Sequence, residues 1–537
     1  MRKSFFEKDR VLRHIFVLLM VLTLLPTLSS GGPLTPKEEW GRQIYLKTTS
    51  PSGREIKAFV GIAAVEAPGS AMPCANCHGY DGMGRPEGGI TPSNITWKEL
   101  TKSYGVKHSD GREHPAYTEE TLGRAVAKGL DPAGKKLNPA MPIYSMPGED
   151  LDALIAYLKK LGTDLDPGLT ENHIRIGTIL PPEGPLGEMG KVIEEILQAN
   201  FDDINEKGGI YSRRLELVVE RSDGKTSLTK EKVKDFIRDK DLFALVSTFT
   251  PGLDKEIPFL VETETIPLVG PFTLFPLTDL SLNRYLFYIF SGLRELGCAL
   301  VDFAADHLRM SNPFTVILHP ARTDLSDTIE AAEKRGRGKA WKRVSRIEYS
   351  LNGFDAEGWI KQLKKENVDL LLFLGNESEA VALLKAAKGI DWLPYILLPG
   401  VLTGKSIYEI PSGFKDKVFL AYPTLPEDRK ERGMREFSSL SRRRNLPAAH
   451  LAAQLSAYSA VQILVESLKR SGRNLSREKL ISTLERLYEF DTGLTPLITY
   501  GPNRHIGALG AYIVTVDPDK RGTKDFISHK KWIIPNE

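Results

Sequence analysis

The chain has 537 residues, 41% of them hydrophobic and 26% charged, and a formal net charge of +3. That length exceeds what one core uses and predicts two or three domains, and the composition is that of a globular chain, not of a disordered or fibrous one. The first thirty residues hold five basic and two acidic residues, so the rest is close to neutral, which argues against nucleic acid or an anionic membrane surface as a partner.

Residues 1–31 read as a secretory signal peptide. Basic residues through Arg13 lead into an apolar run over residues 15–25, which Pro26 ends. Ser29, Ser30, Gly31 and Gly32 follow and suit signal peptidase. The run is short of the roughly 20 apolar residues of a spanning helix; an anchor left uncleaved is the alternative. No cysteine lies near the cleavage zone to carry a lipid, and no other stretch is apolar enough to span a membrane. The expectation is a soluble protein exported to the periplasm.

The pentapeptide Cys74-Ala75-Asn76-Cys77-His78 carries the strongest chemical signal. The chain has three cysteines and two of them are here. Two thiols three apart can each add to a porphyrin vinyl group, and the next imidazole supplies the proximal ligand of the iron. Zinc would want two further thiols or a spaced histidine pair, and neither is near. A thioredoxin-like site would sit near a βαβ pattern, whereas Gly, Pro and Asn surround this one. One covalent haem c is therefore predicted, on Cys74 and Cys77, with His78 on the iron.

Around that motif the pattern is helical. Trp40, Ile44 and Tyr45 recur at helical spacing over residues 38–46. Thr118 reads as an N-cap before Thr121, Leu122, Val126 and Leu130, and Gly129 with Asp131-Pro132 stops that helix. A last helix follows Pro147-Gly148, with Leu151, Leu154, Ile155, Leu158 and Leu161 on one stripe. Candidates for a sixth iron ligand are Met141, Met146, His108 and His114; Met83 is too close to His78 to reach the opposite haem face. His108 and His114 lie in a polar stretch and read by default as solvated loop histidines. The glycine-rich residues 82–89 lack the spacing of a phosphate loop and read as a loop over the haem edge, with Arg85 as a candidate partner for a haem propionate.

Gly41-Arg42-Gln43-Ile44-Tyr45, then Pro73 through Gly79, then a downstream Met-Pro and a closing helix, make residues 34–166 resemble a class I cytochrome c, an all-α fold. The resemblance carries the family's axial methionine onto Met141, in Asn138-Pro139-Ala140-Met141-Pro142, with Met146 as runner-up. It also implies that the last helix packs on the first.

Asp166-Pro167-Gly168 is a turn signal, and residues 167–172 read as a short linker. From His173 to residue 537, short apolar strands alternate with amphipathic helices: a strand to Leu180, a helix over residues 189–207 closed by Gly208-Gly209, and strands at 215–219, 243–247, 267–270, 314–319 and 368–374. Such repeats predict parallel sheets with helices on both faces, and about 365 residues predict two lobes.

The strand over residues 174–180 is followed by Pro181-Pro182-Glu183-Gly184-Pro185-Leu186-Gly187. Next come Asn205-Glu206-Lys207-Gly208-Gly209-Ile210, Ser222-Asp223, Leu268-Val269-Gly270-Pro271-Phe272-Thr273 and Ala457-Tyr458-Ser459-Ala460. In order and spacing they resemble the type I periplasmic substrate-binding proteins, the leucine/isoleucine/valine-binding class that serves ABC transporters. The resemblance implies a bilobal α/β Venus-flytrap fold, with lobe 1 at about 173–291 and 422–470 and lobe 2 at about 292–421 and 471–537. It implies a ligand in the cleft at the carboxyl ends of the strands. It places carboxylate-binding hydroxyls and amides at Ser247, Thr248, Thr250, Phe272 and Thr273. Amino-acid binders add a carboxylate on the second lobe; the comparable Leu397-Leu398-Pro399-Gly400-Val401-Leu402 has none, and Glu377 reads as a helix start.

Other chemical signals are weak. Gly400-Val401-Leu402-Thr403-Gly404-Lys405-Ser406 falls one residue short of a Walker A loop, and no HExxH, GxSxG or paired-carboxylate motif occurs. Cys298 reads as a buried structural cysteine, and Arg442-Arg443-Arg444 as a solvated helix end. The expected function is thus an electron carrier joined to a binding protein, not an enzyme. Its partners would be a small-molecule ligand (amino-acid-like, carboxylate or another small metabolite), a redox protein and an ABC transporter permease. A redox-enzyme subunit that passes electrons from the bound molecule to the haem, or a transport or sensor receptor with an auxiliary haem, are the alternatives.

Overall fold

In a computed structural model of the chain, the described residues run from 34 to 535, less 85–90, 109–110, 163–164, 182–183, 185, 222–228, 278–283 and 522–525, and less the side chains of 406–408 and 528–530. The segment expected to be a signal peptide and Arg85 lie outside them. The chain forms two compact units, Met1–Leu165 and Asp166–Glu537.

In the first unit, helix α1 (Pro36–Lys47) starts at a capping box in which Glu38 and Thr35 satisfy each other's backbone, with Pro36 at the first helical position. Strands β1 (Lys57–Val60) and β2 (Val65–Pro68) form a hairpin, and helix α2 (Cys74–His78) follows. Strands β3 (Val106–Lys107) and β4 (Glu113–His114) make a second, short hairpin. Helix α3 (Glu119–Lys128) is capped by Thr118 and ended by Gly129 in the left-handed region. Strand β5 (Ile143–Ser145) joins β1 in the order β2-β1-β5, a small antiparallel sheet that helical periodicity did not announce. Helix α4 (Gly148–Leu158) lies on α1. Trp40 Nε1 donates to Asp150 Oδ1 at 2.7 Å, and the Tyr45 and Tyr157 rings are 5.6 Å apart. Ile44, Tyr45, Leu154, Leu158 and Leu161 are buried in the core that results.

The second unit carries two sheets. Lobe 1 uses β6 (His173–Leu180), helix α5 (Gly187–Glu206), β7 (Arg214–Arg221), β8 (Ala244–Val246), β9 (Leu268–Val269) and β10 (Leu286–Phe290). The chain then crosses to lobe 2. There helix α6 (Leu293–Asp306) leads to β11 (Thr315–Pro320), β12 (Val344–Tyr349), β13 (Leu370–Phe373), helix α7 (Glu377–Gly389), β14 (Tyr395–Pro399) and β15 (Val418–Tyr422). It returns to lobe 1 for helices α8 (Leu451–Ser471) and α9 (Arg477–Leu484) and for β16 (Ile506–Ala508). It then crosses once more to β17 (Ala511–Val516) and β18 (Ile527–Ile533). The six-stranded sheet runs β16-β10-β9-β8-β6-β7, all parallel. The seven-stranded sheet runs β12-β11-β13-β14-β15-β17-β18 and turns antiparallel only at β15–β17–β18. Parallel strands buried on both faces explain the continuous apolar runs such as Leu370-Leu371-Leu372-Phe373.

Three sequence expectations are corrected here. The final crossing to lobe 2 falls after Ala508, not near residue 470. Leu480, Ile481, Leu484 and Leu487 are fully buried in the lobe 1 core, and β16 pairs with β10. A three-residue strand is too brief to show a period in sequence. Residues 167–172 do not form a free linker. Leu169 is buried in the same core, Arg175 N donates to the Gly168 carbonyl at 2.8 Å, and Arg213 Nε donates to the Thr170 carbonyl at 2.8 Å. The arginine run at 442–444 is also more than a solvated end, since Arg443 and Arg444 pair with Asp203 and Glu206 of α5, each at 2.6 Å.

Candidate functional site

The haem-motif residues stand on one short helix. Pro73 precedes α2 in extended backbone, and Gly79, at φ 77°, turns the chain away after His78. Tyr45 of α1 donates its hydroxyl to the Gly79 carbonyl at 2.6 Å and so ties α2 to the helix pair. Burial pushes the Cys74 thiol up to about 11. A thiol held neutral is a poor redox nucleophile, which argues against a thioredoxin-like role.

His78 Nδ1 stands 2.9 Å from the Ser93 carbonyl oxygen. A carbonyl only accepts, so Nδ1 carries the hydrogen and Nε2 keeps its lone pair for a metal. Burial holds the imidazole below its ordinary pKa, against the Ser93 bond that raises it, so the ring is neutral at neutral pH. His78 lines a cavity of about 400 Å³ together with Cys74, Met83 and Met141. Its walls include Leu100, Leu122, Val126 and Leu154. Two thiols on one helix, a neutral imidazole with a bare Nε2, a thioether and an apolar cavity are the donor set that a covalently attached haem takes.

Met141 sits on a turn in which its N–H and that of Ala140 both bond Asn138. Met146 is part-buried against the domain core and does not line the cavity. Met83 lines the cavity, and its sulfur accepts the Asn94 amide at 3.2 Å. The expectation of solvated histidines at His108 and His114 is overturned. Both line the cavity, and His114 is only 6% exposed. The signal that could have found them is the Asp110-Gly111 pair, a hairpin marker between two short extended stretches. In that hairpin His114 faces Val106 in register.

In the second unit, Ser247 and Thr248 follow β8 at its carboxyl end. Ser247 sits at φ 47°, in the left-handed region, and both residues are buried. Their hydroxyl oxygens have no hydrogen-bond partner among the described residues. The Phe272 N–H donates to the Thr248 carbonyl at 2.8 Å, and the Phe272 ring meets Phe249 edge-on at 5.4 Å. Thr250 is buried, and its carbonyl accepts from Leu253 N at 3.0 Å. The Thr273 hydroxyl donates to Asp254 Oδ1 at 2.5 Å and accepts from the Phe275 N–H at 3.0 Å, so it is already engaged in both roles. Burial raises the Asp254 carboxyl, with Asp324 of lobe 2 adding to the rise against the Thr273 bond.

Loops at the carboxyl ends of both sheets meet. Lys255, after β8, reaches Asp327, after β11, at 3.7 Å. A cavity of about 420 Å³ between them is lined by Asp254, Lys255 and Arg294 among others. On lobe 2, a Cβ on Gly400 would stand 2.2 Å from the Tyr422 ring, so the tyrosine lies directly over that backbone. Residues 397–402 carry no carboxylate. Glu377 is the first residue of α7, behind its cap Asn376. Cys298 lies on α6, and burial pushes its thiol up to about 11.

Fold and sites together define a helical haem-binding domain followed by a bilobal α/β ligand-binding domain. The chain belongs to the periplasmic binding protein family, whose model matches residues 173–523, and residues 69–162 match the cytochrome c family. A cytochrome c domain implies a covalently bound haem c, and Cys74, Cys77 and His78 lie within the matched span.

The second domain is similar in fold to a branched-chain amino acid ABC transporter protein from Thermus thermophilus with bound valine. The identity is 16%, the coverage 65% of this chain and 94% of that one, and the TM-score 0.52. It is also similar to a fatty acid ABC transporter substrate-binding protein from Thermomonospora curvata, at 16% identity, 69% and 94% coverage and TM-score 0.51. A third is an ABC transporter substrate-binding protein from Aeropyrum pernix, at 18% identity, 66% and 94% coverage and TM-score 0.52. No match was found among curated protein sequences. No helix among the described residues is long and apolar enough to cross a membrane.

Proposed function

We propose that this chain is an exported electron carrier joined to a receptor for a small carboxylate, and that it is not itself an enzyme. Cys74 and Cys77 would hold the haem by thioether bonds, and His78 Nε2 and Met141 would supply its iron ligands. A bound haem c supplies one-electron transfer at a potential that a methionine ligand raises relative to a second histidine. The residues' part is to hold that group rigidly and dry. Ser93 fixes the His78 ring, Tyr45 anchors the turn after it, and the apolar walls exclude water. The observation that carries this reading is that His78 and Met141 line one apolar cavity while Met146 does not. With His78 and Met141 both as ligands, the iron would have no open position for substrate chemistry.

The binding domain takes its ligand at Ser247 and Thr248. Hydroxyls and backbone N–H groups donate to an anion without bringing a full charge of their own. Valine, bound in one of the similar structures, and fatty acids, for which another is named, share a carboxylate. The absence of a carboxylate over residues 397–402 favours a ligand without an ammonium group there. An ABC transporter permease and a redox protein are the partners this reading implies. Two measurements test it. A reduced-minus-oxidised spectrum should show c-type bands, and their absence would sink the haem half. A thermal-shift screen of monocarboxylates, amino acids and uncharged analogues should select carboxylates. Turnover of a hit with an artificial electron acceptor would replace the receptor reading by that of a redox-enzyme subunit.

A further inference from the structure

The haem cavity has walls of two kinds. Helices α3 and α4 supply apolar side chains such as Leu122, Val126 and Leu154, whereas the β3–β4 hairpin and its turn supply Lys107, His108, Arg112 and His114. A haem c matches that division, being an apolar ring with propionate carboxylates on one edge. Lys107 is 74% exposed and pairs with Glu113, itself 59% exposed, at 2.7 Å. Water screens such a pair, and it carries little energy. Arg112 differs. Its side chain is 15% exposed, and Nη1 donates at 3.1 Å to Oδ2 of Asp131, whose side chain is 0% exposed.

A buried ion pair costs about as much to desolvate as it returns, so stability alone gives the fold little reason to keep one in a cavity wall. What the pair provides is a guanidinium with a set direction. Asp131 is itself fixed, since Oδ1 accepts from Lys135 N at 2.9 Å and Asp131 N donates to the Lys135 carbonyl at 2.9 Å. Tyr117 also lines the cavity, and Arg112 is near enough to act on its phenol, working against the rise that burial causes.

We propose that Arg112, oriented by Asp131, binds a haem propionate. The proposal rests on the electron-carrier reading above. A guanidinium carries its N–H donors in a planar fork, so it serves Asp131 and a second carboxylate together. Without a counter-charge a propionate at the cavity edge would be a poorly solvated anion, and Arg112 supplies that charge. The sequence alone points to Arg85 for this task; Arg112 is the arginine that lines the cavity among the described residues. The arrangement also joins two parts of the haem site. Asp131 opens the turn at the base of the loop that ends on Met141, where Leu137 N donates to the Gly129 carbonyl at 2.8 Å. Arg112 thus ties the propionate edge to the segment that carries the sixth ligand. A cation there favours the reduced iron, which holds one positive charge fewer, and Asp131 opposes it.

The test is redox potentiometry of the intact holoprotein, with infrared difference spectra between its oxidised and reduced forms and the propionate bands assigned by isotope-labelled haem. Arg112→Gln removes the cation. It should lower the midpoint potential by roughly tenfold in the redox equilibrium, about 59 mV for one electron, and shift the propionate bands. Asp131→Asn removes the opposing anion and should move the potential the other way. A purely structural pair would move both potentials in one direction or neither, and would leave the propionate bands in place; either result overturns the proposal. Bands that shift in Lys107→Gln but not in Arg112→Gln overturn it as well. If Arg112→Gln does not fold, Arg112→Lys decides, because it keeps the charge and lacks the fork. Its potential should hold while its propionate bands shift, and unshifted bands overturn the proposal. Missing c-type bands in wild type would instead overturn the electron-carrier reading.

Discussion

Replacing Gly41 by alanine tests the joint between the first and last helices of the haem domain. A Cβ at Gly41 would stand 1.9 Å from the Ala153 carbonyl oxygen and 2.8 Å from Tyr157 Cβ. Non-bonded heavy atoms pack at about 3.5 Å, so α1 would have to lift off α4 by about 1.5 Å. Overpacking of this kind costs about 1–3 kcal/mol. The lift also stretches the Trp40–Asp150 bond, now 2.7 Å; a hydrogen bond to a charged group is worth about 1.5–3 kcal/mol. Alanine returns about 1 kcal/mol in helix propensity. The net expectation is a loss of about 3 kcal/mol. Guanidinium unfolding of the holoprotein, followed by haem absorbance, measures it. Gly123→Ala is the control. Its Cβ would meet Leu151 Cδ2 at an ordinary 3.4 Å, so helix propensity should make it neutral or slightly stabilising. A loss below about 1 kcal/mol at Gly41 would show that the two helices do not bear on each other there, and the packing argument would fail.

Met141→Ala should abolish the optical signature of methionine ligation and lower the midpoint potential, whereas Met146→Ala should leave both in place; the reverse would move the sixth ligand to Met146. Ser247→Ala and Thr248→Ala remove hydroxyls with no partner among the described residues, so each should leave the thermal midpoint nearly unchanged while weakening carboxylate binding by about tenfold, one hydrogen bond's worth. Calorimetry with a screen hit checks this, and unaltered affinity in both variants would place the anion elsewhere. Arg477 is 9% exposed and donates to the carbonyls of Leu242, Phe243, Glu264 and Thr265 at 2.5 to 3.3 Å. Arg477→Met leaves those carbonyls unpaired and should destabilise the binding domain by about 3–5 kcal/mol in chemical unfolding. A loss under about 1 kcal/mol would mean that water replaces the guanidinium at no cost.

Local chemistry was legible in the chain wherever neighbours in sequence were also neighbours in space. The haem motif needs five consecutive residues, and the caps at Thr118 and Gly129 act within one turn. The apolar run of β13 announces a strand buried on both faces. Sites assembled from distant segments were harder. Thr273 was read as a free hydroxyl, but Asp254, nineteen residues earlier, already takes its hydrogen. His114 was read as solvated because its own segment is polar, whereas it lines the same cavity as Leu122 of α3 and Leu154 of α4.

The order of residues by itself determined that there is a covalent haem site, that a helical unit precedes an α/β unit, and that the second unit needs two lobes. Those features follow from spacing, period and length. Only the tertiary structure decided that Met141 and not Met146 lines the haem cavity, that residues 471–508 stay in the first lobe, and that residues 166–172 pack into the second unit. Each depends on which surface a segment buries against. A segment's own sequence records that it is apolar, but not which distant partner will cover it.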